Sequence, residues 1–237
     1  MMVLSLDSSA SFACAALLDG RTLLHEVRDN SGRAHSETLL PLIVSMLEKH
    51  GVRPHDIDLF ACSVGPGSYT GVRIGVSTVK GLCSGSGKPC AALSSLEILA
   101  QNGVGFEGLV CPMIDARRDR VYTALFESKK GMVTRLTPDT VMSISELDAA
   151  LKKRGRVCYL TGNACEKAAS ILTFSGARLL PEALREISAY RAGLLALDKY
   201  AADPALALPE EKLLPVYLGQ TQAERERAEK EKTSPLN

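Results

Sequence analysis

Four segments of this 237-residue chain carry residue types that could do chemistry. Asp7-Ser8-Ser9-Ala10 follows a short apolar run, and a carboxylate in such a turn is what an ATPase uses to hold Mg²⁺ beside phosphate. Asp115-Ala116-Arg117-Arg118-Asp119 could face it from a second domain with further charge. Gly65-Pro66-Gly67-Ser68-Tyr69-Thr70-Gly71-Val72-Arg73-Ile74-Gly75 lies between a strand-like and a helix-like segment, the position of a phosphate-binding turn. His35 opens a helix-like segment as a potential metal ligand.

Each has a feature that argues against catalysis. Neither aspartate turn contains glycine, so close backbone approach to a phosphate is hindered, and the second carries bulky arginines. The glycine-rich segment fits neither G-x-x-x-x-G-K-[ST] nor G-x-G-x-x-G, and around Ser68 it lacks the G-x-S-x-G elbow of a serine nucleophile. His35 and His50 are fifteen positions apart, about four helical turns, and His25 and His55 offer no evident pairing. Asp7 and Ser8, with Asp115 and Arg117, are therefore expected at most to be a residual cleft, with no cofactor and no metal. Seven scattered cysteines without a C-x-x-C read as buried reduced thiols.

The elements that must position these residues are legible from periodicity. Val3–Leu6, Phe12–Leu18 and Thr22–Val27 read as an antiparallel meander, the latter two joined at Asp19-Gly20. A helix from Ser36 (as N-cap) to His50, a strand over 57–64, a helix from Thr70 to about Ser84, the strand Cys90–Leu93 and a helix to about Gln101 follow. After Asn102-Gly103-Val104-Gly105 come strands at Leu109–Ile114, Arg120–Glu127 and on to about Met142. Helix 145–153, strand 157–160 and helices within 163–172 and 181–200 complete the order. The element order resembles a second, degraded copy of the first half. The expected organisation is α/β with mixed sheets flanked by helices: one domain over 1–102, a second over 103–219 and a charged, mobile tail over 220–237.

Composition sets the outer limits. An apolar fraction of 46% and a net charge of +1 give no global reason to bind nucleic acid. No basic leader or membrane-length apolar run is evident, so a cytoplasmic location without membrane contact is expected.

Two helices need more explanation. The first is apolar nearly all round, with Leu39, Leu40, Leu42, Ile43, Val44, Met46 and Leu47, where a surface helix needs one stripe. It is either sandwiched within its own domain or meets another protein. In the second, Gly71 and Gly75 share a face with Thr78 and would let another backbone approach; whether a helix of this chain or of another is open.

With these residues in view, the chain is similar to the TsaB (YeaZ) family. The matching segments are Leu4-Ser5-Leu6-Asp7-Ser8-Ser9, His35-Ser36-Glu37-Thr38-Leu39-Leu40-Pro41, the stretch Gly65 to Gly75, and Ser94-Ser95-Leu96. Ile114 to Tyr122 and Pro215-Val216-Tyr217-Leu218 also match, while Gly219 stands where the family usually has arginine. The resemblance implies two ribonuclease-H-like domains of the actin-like ATPase (ASKHA) superfamily. It implies a non-catalytic subunit for threonylcarbamoylation of the anticodon-adjacent adenosine in tRNAs reading codons that begin with A. The subunit would bind the transferase TsaD through its N-terminal helices, with the ATPase TsaE docking on the pair and tRNA met only indirectly. In isolation the same surface would form a homodimer. Its expected residues are His35, Leu39, Leu42, Ile43, Met46, Gly71, Val72, Gly75, Thr78 and Val79. The alternative is an ATPase or small-molecule kinase on the same fold with its own nucleotide site.

Overall fold

The computed structural model describes residues 1–218, so Gly219 and the charged segment 220–237 lie outside the described residues. The first sheet is built from β1 (Met2–Asp7), β2 (Ala13–Asp19), β3 (Thr22–Asp29), β4 (Leu59–Ser63) and β5 (Cys90–Leu93). Its order is β3-β2-β1-β4-β5. β2 is antiparallel to both β1 and β3, and the β1-β4-β5 pairs are parallel. All five residues of β4 are buried, as expected where helices cover both faces of parallel strands. The intervening helices are α1 (His35–Lys49), α2 (Tyr69–Ser86) and α3 (Ser95–Ala100).

The second sheet repeats this path. Its strands β6 (Gly108–Asp115), β7 (Arg120–Thr123), β10 (Thr140–Ser143), β11 (Cys158–Thr161) and β12 (Ala177–Leu179) take the order β10-β7-β6-β11-β12. Position for position this matches the first sheet. α4 (Ile144–Arg154), α5 (Cys165–Ile171) and α6 (Ala189–Ala202) stand where α1, α2 and α3 stand in the first half. The expected single strand Arg120–Glu127 is instead two, with β8 (Phe126–Lys129) and β9 (Met132–Arg135) forming an added hairpin on β6. Register explains the break: β6 pairs Met113 with Thr123 and Val110 with Phe126, leaving Cys111 and Pro112 unpaired on that side. Pro112 has no N–H to donate, and the Thr123 hydroxyl instead donates to its carbonyl at 2.8 Å.

Helices α1 and α2 cover the outer face of the first sheet through Leu39, Ile43, Met46, Leu47, Val72, Val76 and Val79. α4 and α5 cover the outer face of the second sheet through Leu147, Leu151, Cys165 and Ala168. Between the sheets, α3 and α6 share one core with Val3, Leu18, Leu59, Val110 and Phe126. α1 begins at His35 with Ala34 at the cap position and no side-chain cap, so Ser36 lies inside the helix and is not its N-cap. α2 starts at Tyr69, one residue before the expected Thr70, and is capped by Ser68, whose Oγ accepts from the Gly71 N–H at 3.2 Å.

The expected division at 102/103 needs one amendment, because the C-terminal part of 103–219 returns to the first sheet. Ser5 Oγ donates to the Ala189 carbonyl at 2.6 Å, Leu208 pairs with Cys90, and the Val216 N–H donates to the Val64 carbonyl at 2.7 Å. Gly193 of α6 lets the helix approach β1 and β2: a Cβ there would fall 2.6 Å from Leu18 Cδ1 and 3.0 Å from Ser5 Oγ. Among the described residues no helix is long and apolar enough to cross a membrane.

Candidate functional site

The turn after β1 is enclosed by the protein itself. Asp7 is fully buried; its Oδ2 accepts from the Ser9 N–H at 3.2 Å and its Oδ1 from the Ser9 hydroxyl at 2.7 Å. The Ser63 hydroxyl of β4 also donates to Oδ1. Burial pushes the Asp7 carboxyl above the usual carboxylate range, against these donors, which favour the charged form. Ser8 turns the other way and donates from its hydroxyl to the Gly71 carbonyl at 2.8 Å. The Ser68 N–H donates to the Ser9 carbonyl at 2.8 Å.

These contacts assign the small-residue face of α2. A Cβ on Gly71 would overlap the Ser8 carbonyl oxygen, and one on Gly75 would fall 2.6 Å from Ser8 Oγ. The groove formed by Gly71 and Gly75 is therefore filled by the backbone turn after β1, and the expectation of a helix there is corrected. Gly65, at φ 111°, similarly makes room for the Val216 carbonyl, 2.6 Å from its would-be Cβ. Tyr217 then reaches α2: its hydroxyl accepts from Arg73 Nε at 2.8 Å, and its ring lies 4.9 Å from Tyr69. The Arg73 guanidinium sits 4.1 Å from the Tyr69 ring centroid.

Where the two halves meet there is a cleft of about 680 Å³. Ala10, Ser11 and Phe12 form one side, Ile114, Asn163 and Glu166 another, and Glu182, Arg185 and Glu186 extend the lining. Of the residues expected there, Asp7, Ser8, Asp115 and Arg117, none lines it. Asp7 and Ser8 point into the first domain. Asp115 is spent on its own turn, where Oδ1 accepts from the Arg117 N–H at 2.9 Å. Arg117, Arg118 and Asp119 all have positive φ, at 65°, 51° and 57°, so the turn is left-handed without a glycine. The one cation among the described residues of the lining, Arg185, is held by Glu166 at 2.6 Å and by the Leu180 carbonyl at 2.6 Å. Of the three lining carboxylates among the described residues, Glu166 is paired with Arg185 and Glu186 with Arg28, so the lining offers a triphosphate no uncommitted cation.

The expected partner-surface residues divide by burial. Leu39, Ile43, Met46, Val72 and Val79 are core, at 0–2% exposure, and Gly71 and Gly75 are buried too. These seven belong to the first domain's own packing and are corrected as contact residues. His35, Leu42 and Thr78 are partly exposed. What the helices turn outward is Leu40 and Val44 on α1, at 47% and 44% exposure, and Tyr69, Arg73, Ser77, Gly81 and Gly85 on α2. Sequence reasoning missed Leu40 and Val44 as the free positions because a helix apolar nearly all round does not declare which side meets its own sheet. It also missed a histidine pair: His25 Nδ1 of β3 and His50 Nε2 at the end of α1 lie 3.0 Å apart. All seven cysteines are buried and free.

Comparison with known proteins agrees with this architecture. The model of a family described as "TsaD: tRNA N6-adenosine threonylcarbamoyltransferase" matches residues 24–224. A "tRNA threonylcarbamoyladenosine biosynthesis protein TsaB" of Bacillus subtilis is 37% identical over 163 residues, covering 69% of this chain and 71% of that one. Its counterpart of Escherichia coli is 35% identical over 131 residues, about half of each chain at 54% and 55%. Among solved structures, "YeaZ from Pseudomonas aeruginosa" superposes with a TM-score of 0.74 at 28% identity, over 92% of this chain and 99% of that chain.

Proposed function

The chain belongs to the TsaB (YeaZ) family of tRNA threonylcarbamoyladenosine biosynthesis proteins, and from that premise we propose that it acts as the non-catalytic partner of the transferase TsaD. In this reading it holds TsaD through the outward faces of α1 and α2, forms a homodimer through the same faces when alone, and reaches tRNA and the ATPase TsaE only through the complex.

The observation that carries the reading is the outer side of α1. Its inward apolar positions already fill the core, yet Leu40 and Val44, one turn apart, remain largely exposed. On α2, Ser77, Gly81 and Gly85 are exposed at four-residue spacing, and outside the helix's own backbone no atom lies within 4 Å of a Cβ built on either glycine. A second helix can therefore come close there. The enclosed Asp7, and a cleft lining without an uncommitted cation among the described residues, count against an independent nucleotide site, and so against the ATPase or kinase reading.

The test is a paired one. Leu40→Glu with Val44→Glu, on positions that do not fill the core, is expected to leave the thermal midpoint within a few degrees of the parent. It should abolish co-purification with TsaD and loss-of-function rescue of threonylcarbamoyladenosine in tRNA. A folded double variant that still binds TsaD and restores the modification removes these faces as the contact. Calorimetry with Mg-ATP on the isolated chain addresses the alternative directly, since micromolar binding with turnover would make the protein an ATPase in its own right.

A further inference from the structure

We propose that His25 and His50 form a two-imidazole site for a late first-row divalent cation of the Cu²⁺ or Ni²⁺ kind. The two residues come from separate elements, the edge strand β3 and the residue that caps α1, and the fold brings Nδ1 of one to 3.0 Å from Nε2 of the other. Their rings stand nearly perpendicular, at 84° with centroids 5.3 Å apart, so the two nitrogens meet edge to edge and the rings do not stack. Neither ring has another hydrogen-bond or ion-pair partner among the described residues.

The spacing admits one cation between the two rings. With metal–nitrogen bonds of about 2.0–2.1 Å, two nitrogens 3.0 Å apart subtend roughly 95° at the metal. That is close to the cis angle of square-planar or octahedral coordination, reached once each ring turns its lone pair onto the metal. Imidazole nitrogen suits Cu²⁺ and Ni²⁺, and Cu²⁺ binds most tightly in the divalent series. Without a cation the rings share one proton in an N–H···N hydrogen bond. Binding needs a lone pair on each facing nitrogen, which a neutral ring provides by carrying its proton on the other nitrogen, so the tautomer changes without net proton release.

The surroundings act in both directions. His50 ends α1, where the negative end of the helix dipole favours a cation. The neighbouring Lys49 ammonium, whose charge reaches His25, opposes one. Among the described residues no third histidine, cysteine or carboxylate completes a cluster, so water fills the remaining positions. Such a site would tie the edge strand to the end of the helix proposed to contact the partner.

The experiment uses the full chain without a histidine tag, stripped with chelator and titrated with CuCl₂ or NiCl₂ in a non-coordinating buffer. One cation per chain is expected, with affinity at least tenfold weaker in His25→Ala and in His50→Ala, and unchanged in His55→Ala. Electron paramagnetic resonance of the Cu²⁺ form should report two coordinating imidazoles in the parent and one in each single variant. The inference fails if the folded double variant His25→Ala/His50→Ala binds as tightly as the parent, if His55→Ala weakens binding equally, or if the parent takes up no cation.

Discussion

Ser8 lies directly against Gly71: its hydroxyl donates to the Gly71 carbonyl at 2.8 Å, and its own carbonyl fills the space a side chain at position 71 would need. The turn after β1, expected from the sequence to be at most a residual phosphate site, is a packing element. It holds α2 against the sheet and thereby fixes which side of that helix faces outward.

Replacing that glycine tests the contact. Gly71→Ala forces a methyl group onto backbone that cannot yield cheaply, and should cost about 2–4 kcal/mol in chemical denaturation. Gly81→Ala, in the same helix with nothing within 4 Å, should raise stability by roughly 0.5–1 kcal/mol. Equal effects of the two substitutions would contradict the close approach of Ser8.

Asp7 predicts a pH dependence. Its carboxyl is raised above its unfolded value, chiefly by burial, so the folded state holds the proton over a range where the unfolded chain has lost it. The contribution is full below about pH 4 and declines as pH rises through the folded value. An asparagine amide can donate to the two serine hydroxyls while its oxygen accepts from the Ser9 N–H. Asp7→Asn should therefore gain stability relative to the parent as pH increases from 4 towards neutrality, measured by denaturant titration at several pH values. It should also leave tRNA modification intact, since the proposed role does not use this carboxylate.

Glu97 links the two halves. From α3 it meets Lys199 of α6 at 2.7 Å and Arg135 of β9 at 3.6 Å, and Arg135 is also paired with Asp139. Glu97→Gln should cost about 1 kcal/mol, more at low ionic strength than at high, because the cluster is only partly shielded from solvent. A double-mutant cycle with Lys199→Met should recover most of that loss as coupling.

The left-handed turn offers a gain. Arg118 has φ 51° between two residues of the same handedness, a conformation in which a side chain costs about 1–2 kcal/mol. Arg118→Gly is expected to raise the unfolding midpoint, with a benefit near 1 kcal/mol. A fall in the midpoint would mean that the Arg118 side chain contributes more than its backbone strain removes.

The repeated topology was legible in the sequence because it is written in local periods: short apolar strands, a two-residue turn at Asp19-Gly20 and helical runs between them. β12 escaped notice because a three-residue strand with two exposed positions has no period to detect. The break between β7 and β8 escaped because it arises from Pro112 on the neighbouring strand. Likewise, the histidine spacing suggested no pair, since His25 and His50 meet only through the packing of α1 on β3.

By itself the sequence determined the order of the longer elements and the doubled α/β plan. Those properties depend on backbone conformation and on patterns within one strand or one helix. The tertiary structure alone decided what fills the Gly71–Gly75 groove, which face of α1 remains free at Leu40 and Val44, and where Asp7 points. Each is settled by packing between segments distant in sequence, and a helix that is apolar all round gives no local sign of which side its own core will take.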